Sequence, residues 1–202
     1  RFAAITRVGK LERVLAGLEA ARAAGFAHIR LNAVILKGRN EDEVLDLVDF
    51  ARAHGFDIAF IEEMPLGEIR SHDRAESFYA SDRIRADIVR RYPLVRGAFG
   101  TGGPARYYHM PDSPTRIGFI SPHSHNFCEQ CNRVRVTAQG RLLLCLGQEH
   151  SVDLRAVLRG RPGDDAALRG AIVRAMAIKP RGHDFDLARE VRIVRFMNHT
   201  GG

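Results

Sequence analysis

The strongest constraint on the fold is an alternation of helical and strand patterns near the start of the chain. Apolar residues recur at helical spacing from Lys10 to Ala24, and Gly25 follows where a left-handed helix end is expected. The run from His28 to Leu36 then has the composition of a buried strand. A second helix and strand follow, and short connections between such elements are typical of βαβ units. The sequence therefore predicts a parallel sheet covered by helices.

The second helix has signals at both of its ends. Asn40 with Glu43 resembles a capping box, and Gly55 stands where the helix would end. Asp57 to Glu62 is predicted as the next strand. Later patterns predict a helix at 81–91 and two strands of an antiparallel section at 106–110 and 116–120. They also predict a hairpin from 132–137 and 141–146, and two more helices at 153–158 and 164–177.

Composition limits the class of protein. The 202 residues are 45% hydrophobic and 27% charged, which is typical of a folded chain with one or two domains. No apolar run approaches the roughly 18 to 20 residues that span a bilayer, and three cysteines are few for a secreted scaffold. A cytoplasmic protein is therefore expected. The net charge of +7 is spread along the chain, which favours a solvated surface over a nucleic-acid site.

All the cysteines of the chain lie close together in sequence. Cys128 and Cys131 are separated by two residues, and Cys145 follows on the returning strand of the predicted hairpin. Such a trio is compatible with a [4Fe-4S] cluster that has one open iron, or with most of a zinc site. The fourth zinc ligand would come from a nearby histidine: His123, His125 or His150. Spacing alone leaves iron–sulfur, zinc and inert buried thiols open.

The geometry of the hairpin groups charged residues with the cysteines. A three-residue loop of Ala138, Gln139 and Gly140, with Gly140 at positive φ, would place Arg133 opposite Cys145. Alternation along the strands then puts four side chains on one face: Cys131, Arg133, Arg135 and Cys145. Two guanidiniums on that face would hold a phosphate or a purine edge. The competing interpretation is a pair of solvated cross-strand charges.

The cysteine segment also resembles a known family. Residues 127–136, with Gly140 and Cys145, resemble the C-terminal cluster motif of the radical-SAM GTP 3′,8-cyclases of molybdenum-cofactor biosynthesis. The resemblance extends to other parts of the chain: Lys37-Gly38, Phe60-Ile61-Glu62 with Met64, and the terminal Gly201-Gly202. It covers most of the sequence and is weakest between about Arg70 and Arg106.

The resemblance implies an α/β fold. It would contain the later units of an incomplete (βα)6 TIM-like radical-SAM barrel, followed by an antiparallel-β and helical region that binds a cluster. Residues 1–68 would form the partial barrel, residues 69–112 a connecting helix and loops, and residues 113–202 the C-terminal iron–sulfur and GTP-binding region with its diglycine tail. The C-x3-C-x2-C motif that cleaves SAM is absent from the sequence. SAM and a second [4Fe-4S] cluster would therefore belong to a missing N-terminal part.

The resemblance also implies roles for individual residues. Cys128, Cys131 and Cys145 would hold the [4Fe-4S] cluster, whose open iron would bind the guanine. Contacts to GTP would come from four residues: Lys37, Arg133, Val134 (through its backbone) and Arg135. Met64 would lie against SAM, and Gly201 and Gly202 would act in catalysis. The alternatives without a functional role are that Lys37 is an exposed loop residue, that Met64 only packs, and that Gly201 and Gly202 are a tail without function.

The function implied is that of a lyase that converts GTP to (8S)-3′,8-cyclo-7,8-dihydroguanosine 5′-triphosphate by means of a SAM-derived radical. This chain would supply the GTP-binding cluster and would be inactive alone. The implied partners are GTP, SAM and a downstream cyclic pyranopterin monophosphate synthase, with neither membrane nor nucleic acid; a homodimer stays open. Ala59 departs from the arginine that the family usually has there, which leaves GTP affinity open. The alternatives are a zinc-binding basic nucleic-acid-binding module and an inactive diverged remnant.

Overall fold

A computed structural model gives the fold for residues 1–69, 71–100, 102–188, 193–195 and 197–200. Contacts divide the chain into two units. Unit 1 contains residues Arg1–Glu63 and Glu76–Asn126, and unit 2 contains Met64–Ala75 and the described residues from Phe127 onward. The three segments predicted above are consecutive stretches of the chain, whereas these units group residues that contact one another, so the units do not test the predicted boundaries.

Unit 1 is built on a mixed sheet of five strands. The strands are β1 (Arg30–Val34), β2 (Asp57–Ile61), β3 (Val95–Arg96), β4 (Arg106–Met110) and β5 (Ser113–Ile120), in the order β1-β2-β5-β4-β3. β1, β2 and β5 are parallel, while β5, β4 and β3 are antiparallel neighbours. The predicted parallel and antiparallel sections are thus both present. They are joined in one sheet, because β5 pairs with β2.

Two helices pack against one face of this sheet in the described residues. The helices of the first half of the chain are α1 (Phe2–Thr6), α2 (Leu11–Ala23), α3 (Val44–His54), α4 (Arg74–Ser77, at the boundary between the units) and α5 (Ser81–Val89). Alternation along β2 and β5 turns Ile58, Phe60 and Phe119 toward α3 and α5, where they are buried. Val48 and Ile84 complete this core from the helices and are fully buried. Gly55 ends α3 with φ 69°, as predicted.

Two expectations for unit 1 were wrong in detail. Asn40 does not cap a helix: its side chain accepts a hydrogen bond from the Leu36 N–H (2.7 Å) and donates one to the Val34 carbonyl (3.0 Å). Asn40 therefore fixes the loop after β1 rather than the start of α3. The strand predicted as buried is partly exposed at β1, because β1 is the edge of the sheet and has one neighbour.

Unit 2 contains a three-stranded antiparallel sheet and two helices. The strands β6 (Arg135–Val136), β7 (Arg141–Leu143) and β8 (Ser151–Asp153) lie in chain order. The helices α6 (Leu154–Gly160) and α7 (Asp165–Ala177) begin at Asp153 and Asp164, whose carboxylates accept hydrogen bonds from backbone N–H groups. Leu142, Leu144 and Ala175 form the buried centre. The hairpin and both helices agree with the sequence predictions.

The α/β class is therefore confirmed, with one mixed and one antiparallel sheet. The relation of unit 1 to an incomplete barrel stays a prediction. Within the part of the chain that the structure describes, no helix has the length and apolar character of a membrane span.

Candidate cluster and nucleotide site

The register of the β6–β7 hairpin agrees with the predicted one over its paired residues, whereas the predicted place of Cys145 opposite Arg133 lies beyond them. Gly140 has φ 77°, and the Thr137 N–H donates to the Arg141 carbonyl at 2.9 Å. Arg135 pairs with Leu143, so the three-residue loop and its register are confirmed. A Cβ added to Gly140 would lie 2.8 Å from the Cβ of Arg155, which excludes other residues at this turn.

Burial alternates along the strand that follows the second cysteine. Cys131, Arg133 and Arg135 are half-buried, whereas Asn132 and Val134 between them are exposed. The predicted sharing of one face by Cys131, Arg133 and Arg135 agrees with this alternation. Val134 is 40% exposed, in agreement with a side chain on the opposite face from Cys131.

The three cysteines form no disulfide with one another; they are half-buried and within electrostatic reach of one another in unit 2. Burial raises the pKa of the Cys145 thiol; the Gly147 N–H and the charge of Lys179 act in the opposite direction, while the charges of Cys128 and Cys131 add to the rise. Thiolates gathered in this way repel one another, and a cation between them would relieve the repulsion.

The three cysteines supply donors that suit either a multi-iron cluster or most of a zinc site. A tetrahedral zinc ion needs four ligands in direct contact with one centre, whereas a cubane places each thiolate on a different iron and so tolerates wider spacing. In the described ranges, no group of three or more His, Cys, Asp or Glu side chains is close enough to hold one ion. Two of the candidate histidines are engaged in unit 1: His123 Nε2 with the Glu63 carbonyl (2.9 Å) and His125 Nε2 with Asp82 (2.9 Å). The third, His150, lies in unit 2, where its carbonyl accepts from the Leu144 N–H at 3.2 Å.

Arg133 and Arg135 are two half-buried cations on the hairpin strand that follows Cys131. Within the part of the chain that is described, neither guanidinium makes a hydrogen bond or an ion pair with another residue. Burial lowers the pKa of Arg135, the charge of Arg133 lowers it further, and Cys131 and Cys145 act in the opposite direction. A half-buried guanidinium beside a like charge is stabilised by an anion. This face is therefore suited to an anionic ligand.

The other predicted site residues lie in different places. Lys37 is exposed in unit 1, in the loop that follows β1, and its backbone N–H donates to the Ser77 carbonyl at 2.7 Å. Met64 is half-buried in unit 2, and its carbonyl accepts from the Leu66 N–H at 2.8 Å. Gly201 and Gly202 lie outside the described residues.

Ala59 alternates with Ile58 and Phe60 and so lies on the face of the sheet opposite α3 and α5, where it is enclosed. It is fully buried and pairs with Gly118, over which the ring of Tyr107 lies: a Cβ on Gly118 would be 3.0 Å from that ring and 3.4 Å from the Ala59 Cβ. The Tyr107 hydroxyl accepts from Arg30 Nη1 at 2.7 Å. A longer side chain at position 59 would have to displace this arrangement.

Glu62, the last residue of the Phe60-Ile61-Glu62 motif, joins the end of β2 to the start of α5 and to the loop after β5. Its fully buried carboxylate accepts hydrogen bonds from the N–H groups of Ser81 (2.9 Å), His123 (3.0 Å) and Ser124 (3.1 Å) and from the Ser124 hydroxyl. Burial alone would raise the pKa of Glu62, but these donors together hold it below its usual value of 4.5. Glu62 is thus a buried anion that orders the start of α5 and the loop after β5.

Sequence reasoning missed several residues around the cysteines. A Cβ on Gly147 would lie 2.5 Å from the His183 Cβ, so this site tolerates only glycine. A Cβ on Gly182 would come within 3.6 Å of the Cys128 sulfur. The basic residues Lys179 and Arg195 bind the loop of Cys145. Of these residues only Gly147, two positions after Cys145, is near enough to a cysteine in sequence to have been predicted; the others are far from the cysteines in sequence.

Comparison with known proteins agrees with the resemblance. Residues 56–185 match the family described as Molybdenum Cofactor Synthesis C. The chain is 59% identical over 203 residues to a GTP 3′,8-cyclase of Pseudomonas entomophila, 58% over 202 residues to one of Marinobacter nauticus, and 60% over 203 residues to GTP 3′,8-cyclase 1 of Pseudomonas aeruginosa. Each match covers 100% of this chain and 61% of the relative. The chain thus spans about three fifths of the length of these relatives.

Proposed function

Because the chain belongs to the Molybdenum Cofactor Synthesis C family, we propose that it supplies the GTP-binding part of a GTP 3′,8-cyclase. The relatives that carry this name match the chain along its whole sequence. The observation that carries the proposal is the hairpin face on which Arg133 and Arg135, both without an anionic partner among the described residues, stand beside Cys131.

In this proposal Cys128, Cys131 and Cys145 hold a [4Fe-4S] cluster. When bound, the cluster supplies an open iron, a Lewis acid to which a purine base binds. Arg133 and Arg135 then hold the nucleotide through bidentate hydrogen bonds, for which a planar guanidinium is suited. The backbone of Val134 lies between them and adds a hydrogen-bonding group. The work of these residues is to position GTP rather than to transfer protons.

Lys37, Met64 and the diglycine tail belong to the same proposal. Lys37 is an exposed ammonium in the loop that follows the parallel strand β1, at the carboxyl edge of the sheet, where ligands of α/β folds bind, and we assign it to a phosphate of GTP. Met64 is assigned to SAM, and Gly201 with Gly202 to catalysis. The radical step needs SAM chemistry, for which the 202 residues lack the C-x3-C-x2-C motif, so the chain is proposed to be inactive alone.

The test separates iron binding from nucleotide binding. Anaerobic reconstitution of the chain should load about four irons, and Cys145→Ser should abolish this loading. Arg135→Met should keep the iron and weaken GTP binding about tenfold or more in calorimetry, since charge-assisted hydrogen bonds are lost. Arg141→Met is the matched control: its guanidinium binds the Ser151 hydroxyl at 2.8 Å on the adjacent strand β8, and GTP affinity should not change.

Two outcomes would contradict the proposal. One tightly bound zinc in place of iron would favour the metal-binding nucleic-acid module, and salt-dependent binding of nucleic acid would support that alternative. Equal GTP affinity of the wild type and Arg135→Met would remove the arginine face from the site.

A further inference from the structure

We propose that Arg195 and Lys179 are positioning residues that hold the loop of Cys145 in the conformation that the cluster requires. This inference rests on the proposed function, because it concerns one of the proposed cluster ligands. The Cys145 loop is defined as residues 144–149, between β7 and β8. It carries the third cysteine, which stands outside the C-x2-C pair and is therefore positioned by its own loop.

Arg195 binds the Cys145 loop at several points. Its Nη2 donates to the carbonyl of Leu146 at 3.0 Å and to the carbonyls of Cys145 (3.4 Å) and Gln148. Its Nη1 pairs with the carboxylate of Glu149. The Arg195 side chain is only 13% exposed, and its bonds to the three carbonyls are partly buried, whereas the carboxylate of Glu149 is exposed. One guanidinium therefore ties together the main chain on both sides of Gly147.

Lys179 holds the beginning of the same loop. Its Nζ donates to the Leu144 carbonyl at 3.0 Å, and the Leu144 N–H donates to the His150 carbonyl at 3.2 Å. Leu144 is fully buried, so its carbonyl needs a partner inside the protein. Lys179 and Arg195 thus supply donors to loop carbonyls that no neighbouring strand bonds in the described sheet.

Arg195 is itself held by contacts within unit 2. Two residues before it, Ile193 forms a parallel bridge with Leu66, and the Ile193 carbonyl accepts from the Gly67 N–H at 2.8 Å. The carbonyls of Leu66 and Gly67 accept from Arg74 Nη2 at 2.9 and 2.8 Å. The main chain two residues before Arg195 is therefore paired within unit 2, which supports the position of the guanidinium against the loop. A surface arginine would lack this support.

Hydrogen exchange in the iron-free chain tests the inference independently of the cluster. Arg195→Gln should speed exchange of the amides of residues 144–149 by about tenfold or more, because charge-assisted bonds to the loop are lost. Arg195→Lys keeps the charge but not the planar fork and should have a smaller effect. Lys179→Gln should speed exchange at Leu144 most. Arg141→Gln, the matched control on β7, should leave the loop unchanged, since its described guanidinium contacts are Ser151 and Asp153.

Iron retention supplies the second measurement. After reconstitution, Arg195→Gln should release iron faster than the wild type and should change the electron paramagnetic resonance signal of the reduced cluster, while Arg141→Gln should do neither. Wild-type exchange of residues 144–149 in Arg195→Gln would overturn the inference. If Arg195→Gln speeds hydrogen exchange throughout unit 2, the exchange of Arg195→Lys is the deciding measurement. Faster exchange of this variant confined to residues 144–149 supports the inference, and faster exchange throughout unit 2 overturns it.

The two proposals fail in distinguishable ways. A wild-type chain that takes up no iron contradicts the proposed function, whatever the exchange of the loop. A wild-type chain that loads iron, together with an Arg195→Gln variant that exchanges and retains iron like the wild type, contradicts only the positioning role.

Discussion

At the scale of single residues, two kinds of buried charge have different consequences. Glu62 is a fully buried anion whose oxygens are occupied by hydrogen-bond donors of unit 1, so it stabilises the native fold. Arg135 is a half-buried cation with no such partner among the described residues, and its burial lowers the pKa of the guanidinium. A satisfied charge is typical of structure, whereas an unsatisfied one is typical of a site that awaits a ligand.

Glu62→Gln should lower the free energy of unfolding by about 1.5 to 3 kcal/mol, because the amide nitrogen of glutamine cannot accept the bonds that a carboxylate oxygen accepts. Urea unfolding of the variant and the wild type at neutral pH measures this difference. Glu12→Gln, at an exposed position in α2, is the control and should change stability little. A neutral effect of Glu62→Gln would contradict the assignment of Glu62 as an ionised anchor.

The same carboxylate should give stability a defined dependence on pH. The folded pKa of Glu62 lies below its usual value of 4.5, so its contribution is present above that value and is lost as the pH falls through the folded pKa. The gap in unfolding free energy between wild type and Glu62→Gln should therefore be constant above about pH 5 and narrow in more acid solution. A gap that widens on acidification would contradict this sign.

At the scale of elements, the β6–β7 hairpin depends on one glycine. Gly140 combines φ 77° with a close approach to Arg155, whereas Gly17 inside α2 has no atom within 4 Å of an added Cβ. The two glycines therefore differ in both backbone conformation and space. The register of the hairpin, and with it the common face of Cys131, Arg133 and Arg135, follows from the loop that Gly140 permits.

Gly140→Ala should destabilise the chain by about 1 to 3 kcal/mol, because it imposes a left-handed conformation on alanine and crowds Arg155. Gly17→Ala is the opposite control and should stabilise by about 0.5 to 1 kcal/mol, since alanine favours a helix interior. Thermal unfolding of both variants measures the two signs. A stabilising Gly140→Ala would show that the hairpin does not need this turn.

At the scale of the whole molecule, each unit has its own buried cluster of apolar residues. The proposed cluster ligands all belong to unit 2, while Lys37 belongs to unit 1. A ligand that binds only the folded state of one unit stabilises that unit directly. The proposed metal chemistry therefore predicts an uneven distribution of stabilisation along the chain.

Loading with iron should slow hydrogen exchange most in the β6–β7 hairpin and the Cys145 loop, and least in β1, β2 and α3 of unit 1. Mass spectrometry of peptides from the iron-free and reconstituted chain, at equal concentration, gives the comparison. The Cys128→Ser variant treated with iron is the control and should remain like the iron-free wild type. Equal protection of both units would contradict cluster binding confined to unit 2.

Much of the local structure could be predicted from the sequence. Helix α7, the left-handed residue Gly55 and the loop around Gly140 depend on interactions among residues a few positions apart. Local sequence patterns are therefore enough to predict them. The three cysteines could be proposed as a site for the same reason: they lie within one segment, and two of them have the C-x2-C spacing.

The sequence by itself thus determined the elements, the turn geometry and the choice of candidate site residues. Only the tertiary structure decided that β5 joins β2, that Asn40 binds the β1 loop, and that Arg195 reaches carbonyls 47 to 50 positions away. These contacts join residues whose separation in the chain carries no periodic signal. They form because burial forces backbone carbonyls and charges to find partners wherever packing brings them.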